Sequence, residues 1–440
     1  MLIQLEPPLR RALQLVVEAA APLPVALVGG AVRDLLLHRV HRDPWRGLPD
    51  LDLVVEQSSA EEGPPAAHRI ARQLAERLGP SLRRCQLHEE FGTAELNIDG
   101  VLLDLATARR EWYKEPGANP SVRYGSLADD LARRDLSINA IALLLDAEQL
   151  EQAEAAHADA LESQLLDPFG GREDLAARRL RFLHGHSLED DPTRIVRAAR
   201  YSARLGLELA PEALAQWQRT LAAWPWRRAE VNPGGSPGVP PSLGSRLRKE
   251  LELLLGREPW PRALELLQHW QALELLDSSL QHDLSWRQRL RWAQRLLALA
   301  QLPPWPQEQW LMLALLAPLA DPVALADQLQ LPHRSQQSLR GLVRLRHWLA
   351  EPGLEPGASP AQLSLVLERG GLSPEVVILA LVSRPPGVWR RGLLRWLLRW
   401  RCLASPISAR QLMEAGYPAG PALGEKLRQL RRQRLDQERW

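Results

Sequence analysis

The period of the apolar positions changes near residue 145. Before it, Val25–Val28, Leu51–Val55, Ala94–Ile98 and Val101–Leu105 are short runs rich in Val, Ile and Leu, bounded by Gly, Pro or Asp. That pattern predicts strands. Leu2 to Ala20 and Ala66 to Leu78 instead place apolar residues three and four apart, which predicts amphipathic helices. After about residue 146 the strand pattern stops. Leu, Ala, Arg and Trp recur at spacings of three and four, broken by Pro and Gly, so an all-α remainder is expected. The boldest break is Val231–Leu243, whose Pro and Gly cannot continue a helix and which reads as an exposed loop; Glu351–Pro360 is a second. There is no exact internal repeat.

A chain of 440 residues is too long for one compact core, so two to four domains are expected. Apolar residues are 45% and charged residues 25%, which excludes wholesale disorder. The net charge of +2 hides a contrast: residues 1–145 hold 17 Lys/Arg against 20 Asp/Glu, leaving 38 against 33 for the rest. The last sixty residues alone carry 13 against 4. Only three of the 55 cations are lysines, for which genome coding bias is the favoured explanation. Cys85 and Cys402 are too few and too distant for a disulfide scaffold or a cysteine-based metal cluster. No apolar run is long enough to span a membrane, and the N-terminus does not read as a signal peptide. A reduced, cytoplasmic protein is expected.

Four segments carry candidate chemistry. Gly29-Gly30 directly follows a strand and precedes a helix, where the backbone can approach a phosphate and Arg33 can add a charge-assisted contact. A plain turn is the alternative. Asp50 and Asp52, two apart at a strand start, share one side, and Asp104 interrupts an otherwise apolar strand. Carboxylates so gathered suit Mg²⁺ with substrate phosphates; solvated acids capping a strand are the other reading. Arg133-Arg134-Asp135 with Asn139 fits a triphosphate and a ribose hydroxyl, or else a salt-bridged helix start. In the last segment Asp191 suits an N-cap and Pro192 the first helical position. Arg194, Arg197, Arg200 and Arg204 then share one helical face, where their repulsion argues for an anionic ligand over a solvated face.

Taken in order, Gly29-Gly30-x-x-Arg33-Asp34, Asp50-x-Asp52, Asp104 to Arg109, Arg133-Arg134-Asp135-x-x-x-Asn139-Ala140, Asp167 to Leu175 and Asp190-Asp191-x-x-Arg194-x-x-Arg197 resemble the bacterial class II tRNA nucleotidyltransferase and poly(A) polymerase family. The match covers roughly residues 25 to 210, with weaker likenesses at Ser245–Leu251 and Leu412–Gly424. The resemblance implies an α/β head, a small mixed sheet with helices, followed by an all-α neck, body and tail. Residues 1–145 would be the nucleotidyltransferase catalytic head, 146–275 a neck for base recognition and RNA binding, and 276–440 a tRNA-binding body and tail. It implies template-independent addition of C and/or A from CTP or ATP to the tRNA 3′ end, with release of pyrophosphate. Asp50 and Asp52 resemble the Mg²⁺ ligands and Asp104 the third catalytic carboxylate. Gly29, Gly30 and Arg33 resemble the triphosphate contacts, and Arg134, Asp135 and Asn139 the groups around triphosphate and ribose. Asp191 and Arg194 resemble the side chains that read the incoming base, with Arg197 and Arg200 beside them. The implied partners are the tRNA acceptor end and CTP or ATP; no protein partner is evident.

Three departures stand out. Asp190 occupies a place where many members have Glu, His41–Arg46 lengthens the connection from Gly30 to Asp50, and the Pro/Gly stretch inserts into the neck. Poly(A) polymerase ranks lower, because His184–Leu188 replaces that branch's basic signature. A catalytically silent RNA-binding protein is a further alternative, for which Trp389, Trp396 and Trp400 are either core or stacking platforms. Whether CCA, CC or A alone is added stays open, although the loop Glu111–Ala128 is full length.

Overall fold

Each of the four runs read as strands lies inside one sheet. A computed structural model describes residues 6–48, 51–57, 63–151, 164–223, 240–350, 359–383, 385 and 387–438. Its strands in the first part are β1 (Val25–Val28), β2 (Asp52–Val55), β3 (Leu82–His88), β4 (Thr93–Ile98), β5 (Val101–Thr107), β6 (Arg109–Trp112), β7 (Ser121–Tyr124), β8 (Ala142–Leu145) and β9 (Leu165–Leu166). Seven form a mixed sheet in the order β3-β4-β5-β2-β1-β8-β9. Only β2 and β5 are parallel within it. β6 and β7 pair separately as a two-stranded ribbon.

Strand β1, flanked by β2 and β8, is buried along its whole length, which is why it reads as an unbroken apolar run. Helices α1 (Pro7–Ala20) and α3 (Ala66–Leu78) pack together, and α3 lies against β3, β4 and β5. Ala26, Val28, Val54 and Ala142 point to a second apolar cluster, closed by Leu127 and Leu131 of helix α4 (Leu127–Ala132). Helix α2 (Gly30–Arg39) leaves the end of β1. Of the first expected helix, residues 2–5 lie outside the described residues.

The pattern did not reveal β3, whose residues Leu82–His88 are mostly exposed and include Arg83 and Arg84. It is an edge strand, and charge on an edge discourages pairing with other chains while erasing the apolar alternation. The stretch Glu111–Ala128, read as a loop, contains most of the β6–β7 ribbon. After residue 146 the described chain is helical except for β9 and a parallel pair, Arg179–Leu180 with Glu208–Leu209. Strands of two residues show no period, so the all-α expectation missed them.

The described residues fall into two compact units. One runs to Ala223 and includes Pro240–Ser242; the other starts at Leu243 and contains helices and turns only. Trp389, Trp396 and Trp400 are at most 4% exposed, so the core reading holds and they are not stacking platforms. Residues 231–239 of the expected exposed loop lie outside the described residues. Its end is not exposed: Ser242 is buried and its N–H donates to the Gly117 carbonyl at 3.1 Å. No helix among the described residues is long and apolar enough to cross a membrane.

Candidate active site

The site begins where β1 ends. Gly29 has φ +69°, a left-handed conformation that turns the chain from β1 into α2. A Cβ there would lie 3.0 Å from Nη1 of Arg134 and 3.4 Å from Oδ2 of Asp52. Gly29 is thus where a cation and a carboxylate close on the backbone. Asp52 opens β2, in register with Asp104 on the parallel neighbour β5. In-register residues share a face. Being two residues from Val54, Asp52 emerges on the same face as the apolar cluster under α4. Asp50 lies outside the described residues.

Arg134 is anchored from behind. Its Nη2 donates to Oδ2 of Asp130 at 3.0 Å, while Arg133 donates through Nε to Oδ1 of the same carboxylate at 2.8 Å. Arg133 also reaches Glu111 at 3.2 Å. Asp130 is buried; burial pushes its carboxyl up, but the two guanidiniums outweigh it and hold it below the ordinary range. The two arginines follow the end of α4, not a helix start as the salt-bridged alternative had it.

A second chain of contacts crosses behind the Gly29 turn. Arg33 is buried and donates to both oxygens of Asp34, and its Nη1 donates to Oδ1 of Asn139 at 2.7 Å. Asn139 Nδ2 donates to Oδ1 of Asp135 at 3.1 Å, and Nε of Arg197 donates to the other Asp135 oxygen at 2.6 Å. Burial raises the Asp135 carboxyl, yet Arg197 and the Asn139 hydrogen bond prevail and lower it to about 2. The Tyr201 ring lies within 6 Å of three guanidiniums: Arg33 at 5.0 Å, Arg204 at 5.2 Å and Arg197 at 5.9 Å. Arg33, expected as a charge-assisted contact to a triphosphate, is engaged by Asp34 and Asn139.

The arginine helix spans Arg194–Leu205, two residues later than the Pro192 start expected. Thr193, not Asp191, is its N-cap and no side chain caps the helix; Asp191 instead closes the turn ahead of it, where Oδ1 accepts from Thr193 N at 3.0 Å and from Thr193 Oγ1 at 2.6 Å. The four arginines do not form one charged face. Arg194 and Arg200 are buried, Arg197 pairs with Asp135, and only Arg204 is exposed. Arg194 donates to the main-chain carbonyls of Ser187 at 3.3 Å and Arg133 at 3.1 Å. Beside it a cleft of about 250 Å³ is bordered by Glu111, Tyr113, Arg133, His184 and Asp190. Burial, with some help from Glu189 and Asp191, raises the Asp190 carboxyl despite the opposing Arg194 and His186.

Asp130, Glu111 and Tyr201 escaped the sequence reading. Asp130 had one local signal, lying three and four residues before Arg133 and Arg134. Glu111 and Tyr201 had none. Among the described residues no group of three or more His, Cys, Asp or Glu side chains is gathered for a metal. Asp52 and Asp104 supply two carboxylates in register, and oxygen donors of this kind fit a hard divalent cation.

A mixed sheet with two carboxylates in register beside a glycine turn, and arginines behind it, is an arrangement able to hold a divalent cation and a triphosphate. The sequence model of the Poly A polymerase head domain matches residues 25–181. The chain is 34% identical over 409 residues to the CC-adding tRNA nucleotidyltransferase of Deinococcus radiodurans, covering 92% of this chain and 83% of that protein. It belongs to the tRNA nucleotidyltransferase family, whose members generally use divalent metal ions. The A-adding tRNA nucleotidyltransferase of Aquifex aeolicus is also 34% identical, over 279 residues or 63% of this chain, but the chain spans only 28% of that relative's length. A solved CCA-adding enzyme in an apo form has the same fold, with a TM-score of 0.69 and 24% identity over 99% of this chain and 94% of its own.

Proposed function

We propose that the chain adds C and/or A from CTP or ATP to the 3′ end of tRNA without a nucleic-acid template, releasing pyrophosphate. The observation that carries this reading is the in-register pair Asp52 and Asp104 beside the Gly29 turn, in a chain of this family. Asp50 and Asp52, with Asp104 as the third carboxylate, would hold Mg²⁺, which would supply Lewis-acid stabilisation for nucleotidyl transfer and pyrophosphate release. Gly29 and Gly30 let the triphosphate approach the main chain, and Arg134, braced by Asp130, meets its charge. The Arg33–Asn139–Asp135–Arg197 network holds the ribose side of the site in one shape.

Asp191 and Arg194, with Arg197 and Arg200 beside them, read the base. A carboxylate accepts from the exocyclic amine that C and A share, and a guanidinium donates to a ring nitrogen or carbonyl. G and U place donor and acceptor the other way round and would set acceptor against carboxylate and donor against guanidinium. Residues 1–145 serve as the head, 146–275 as the neck and 276–440 as a tRNA-binding body and tail in a cytoplasmic enzyme.

The test offers three tRNA transcripts, ending before CCA, after C and after CC, to CTP and ATP separately. Incorporation of C, A or both names the activity. No incorporation on any transcript overturns the reading. ATP polymerised equally well on an RNA lacking an acceptor stem would favour poly(A) synthesis. In the same assay Asp52→Ala should abolish incorporation while tRNA binding persists.

A further inference from the structure

The β6–β7 ribbon has two faces, and the network above uses only one. Strand register sets Arg110 opposite Arg123, Glu111 opposite Val122 and Trp112 opposite Ser121. Side chains alternate along a strand, so Arg110, Trp112 and Arg123 share the face away from Glu111, which turns to Arg109 and Arg133. This outer face borders a cleft of about 770 Å³ that also touches Leu23 and Pro24, while Arg110, at its rim, borders the smaller cleft beside Arg194 as well. Both arginines are exposed, and Trp112 is 45% exposed.

Like charges directly opposite on a ribbon destabilise it, and neither arginine has an ion pair among the described residues. The carboxylates bordering the cleft are committed to the backbone. Glu56 accepts from Leu127 N at 3.0 Å, and Asp129 from Ser126 N at 3.0 Å. A single anionic group between Arg110 and Arg123 would turn their repulsion into attraction, and the indole beside them offers a stacking face. The cleft meets Pro24 and Gln57, at the end of β1 and β2 opposite to Gly29 and Asp52. Strand rise separates the two ends by about 10 Å, so this is not the triphosphate position.

We propose that this face is a second RNA-binding surface, which takes one nucleotide of a single strand with its phosphate between Arg110 and Arg123 and its base against Trp112. A phosphodiester carries one charge and tolerates the neighbouring Glu56 and Asp129, whereas a free triphosphate would be repelled by them. The choice of RNA as ligand rests on the tRNA-directed reading; the unpaired arginines and the cleft do not.

The experiment uses the full chain and a short fluorescent oligoribonucleotide carrying a photoreactive uridine. The cross-link should map to the segment between Arg110 and Arg123. The Arg110→Gln/Arg123→Gln variant should bind about tenfold more weakly, with a log–log salt slope smaller by about 0.7. Trp112→Ala should also lose about tenfold, and Trp112→Phe should regain most of it. Unchanged thermal midpoints show that these variants are folded, and unchanged CTP binding by Arg123→Gln and Trp112→Ala, which do not border the cleft beside Arg194, shows the nucleotide site intact. Cross-links confined to other segments, unaltered affinity and slope in the double variant, or displacement of the oligonucleotide from this segment by CTP would each overturn the proposal. Binding is read without turnover, so a chain inactive on tRNA could still show this surface, and an active one could lack it.

Discussion

Gly29 sits beside Arg134 and Asp52, with a positive φ that strains any side chain and space so tight that the Arg134 tip would have to shift for one. Gly29→Ala should cost about 1 kcal/mol in stability from the backbone alone. It should lower nucleotide incorporation far more, because the added carbon displaces the Arg134 guanidinium at the turn; comparing the melting midpoint with kcat separates the two. Asp135 makes a prediction about pH. Its folded value of about 2 lies below the ordinary 3.8. Its stabilisation is therefore full above the unfolded value and is lost as pH falls from about 4 through about 2. The contribution is roughly 2 kcal/mol. In acid titrations Asp135→Asn should be less stable at neutral pH and show a shallower loss across that window. A steeper loss in the variant would show that Asp135 is not the group responsible.

At the scale of elements, the turn that carries Asn139 is held by a close helix contact. Gly171 opens the helix Gly171–Ala176, and a Cβ there would lie 2.3 Å from the Ser137 carbonyl oxygen and 2.8 Å from Ile141. Ser137 Oγ also donates to Asp174 of that helix at 2.5 Å. The turn Ser137–Asn139 presents Asn139 to Arg33 and Asp135. Gly171→Ala should destabilise by about 2 kcal/mol, since backbone must move, and should raise the KM for CTP as Asn139 shifts; a melting curve and steady-state kinetics check both. Elements with a strong period were legible: β1 and α3 have the bounds that periodicity predicts. The ribbon β6–β7 and edge strand β3 were not, because their positions are set by what they pair with and not by burial on one face. Arg194–Leu205 was legible as a helix, but not that docking would bury Arg194 and Arg200 and pair Arg197 with Asp135.

At the scale of the molecule, the charge contrast between the acidic first third and the basic last sixty residues sets how RNA should bind. On the helix Gly387–Leu398 the exposed cations Arg390, Arg391 and Arg395 stand opposite the buried Trp389 and Trp396. We expect tRNA affinity to fall steeply with salt. Replacing those three with Gln should flatten the log–log slope by up to about 0.9 for each phosphate they no longer neutralise, measured by filter binding, with CTP affinity unchanged. The sequence by itself determined the head-then-helices order, the main strands and the identity of most charged groups, because hydrophobic period and short motifs are local properties. Only the tertiary structure decided which charges are spent inside the protein. Arg33 meets Asn139 across 106 residues and Arg197 meets Asp135 across 62, while Asp130 braces Arg134 under the same site. An arginine that holds a neighbour in place and one that waits for a phosphate look alike in sequence; burial and the nearest carboxylate tell them apart, and both depend on how distant segments pack.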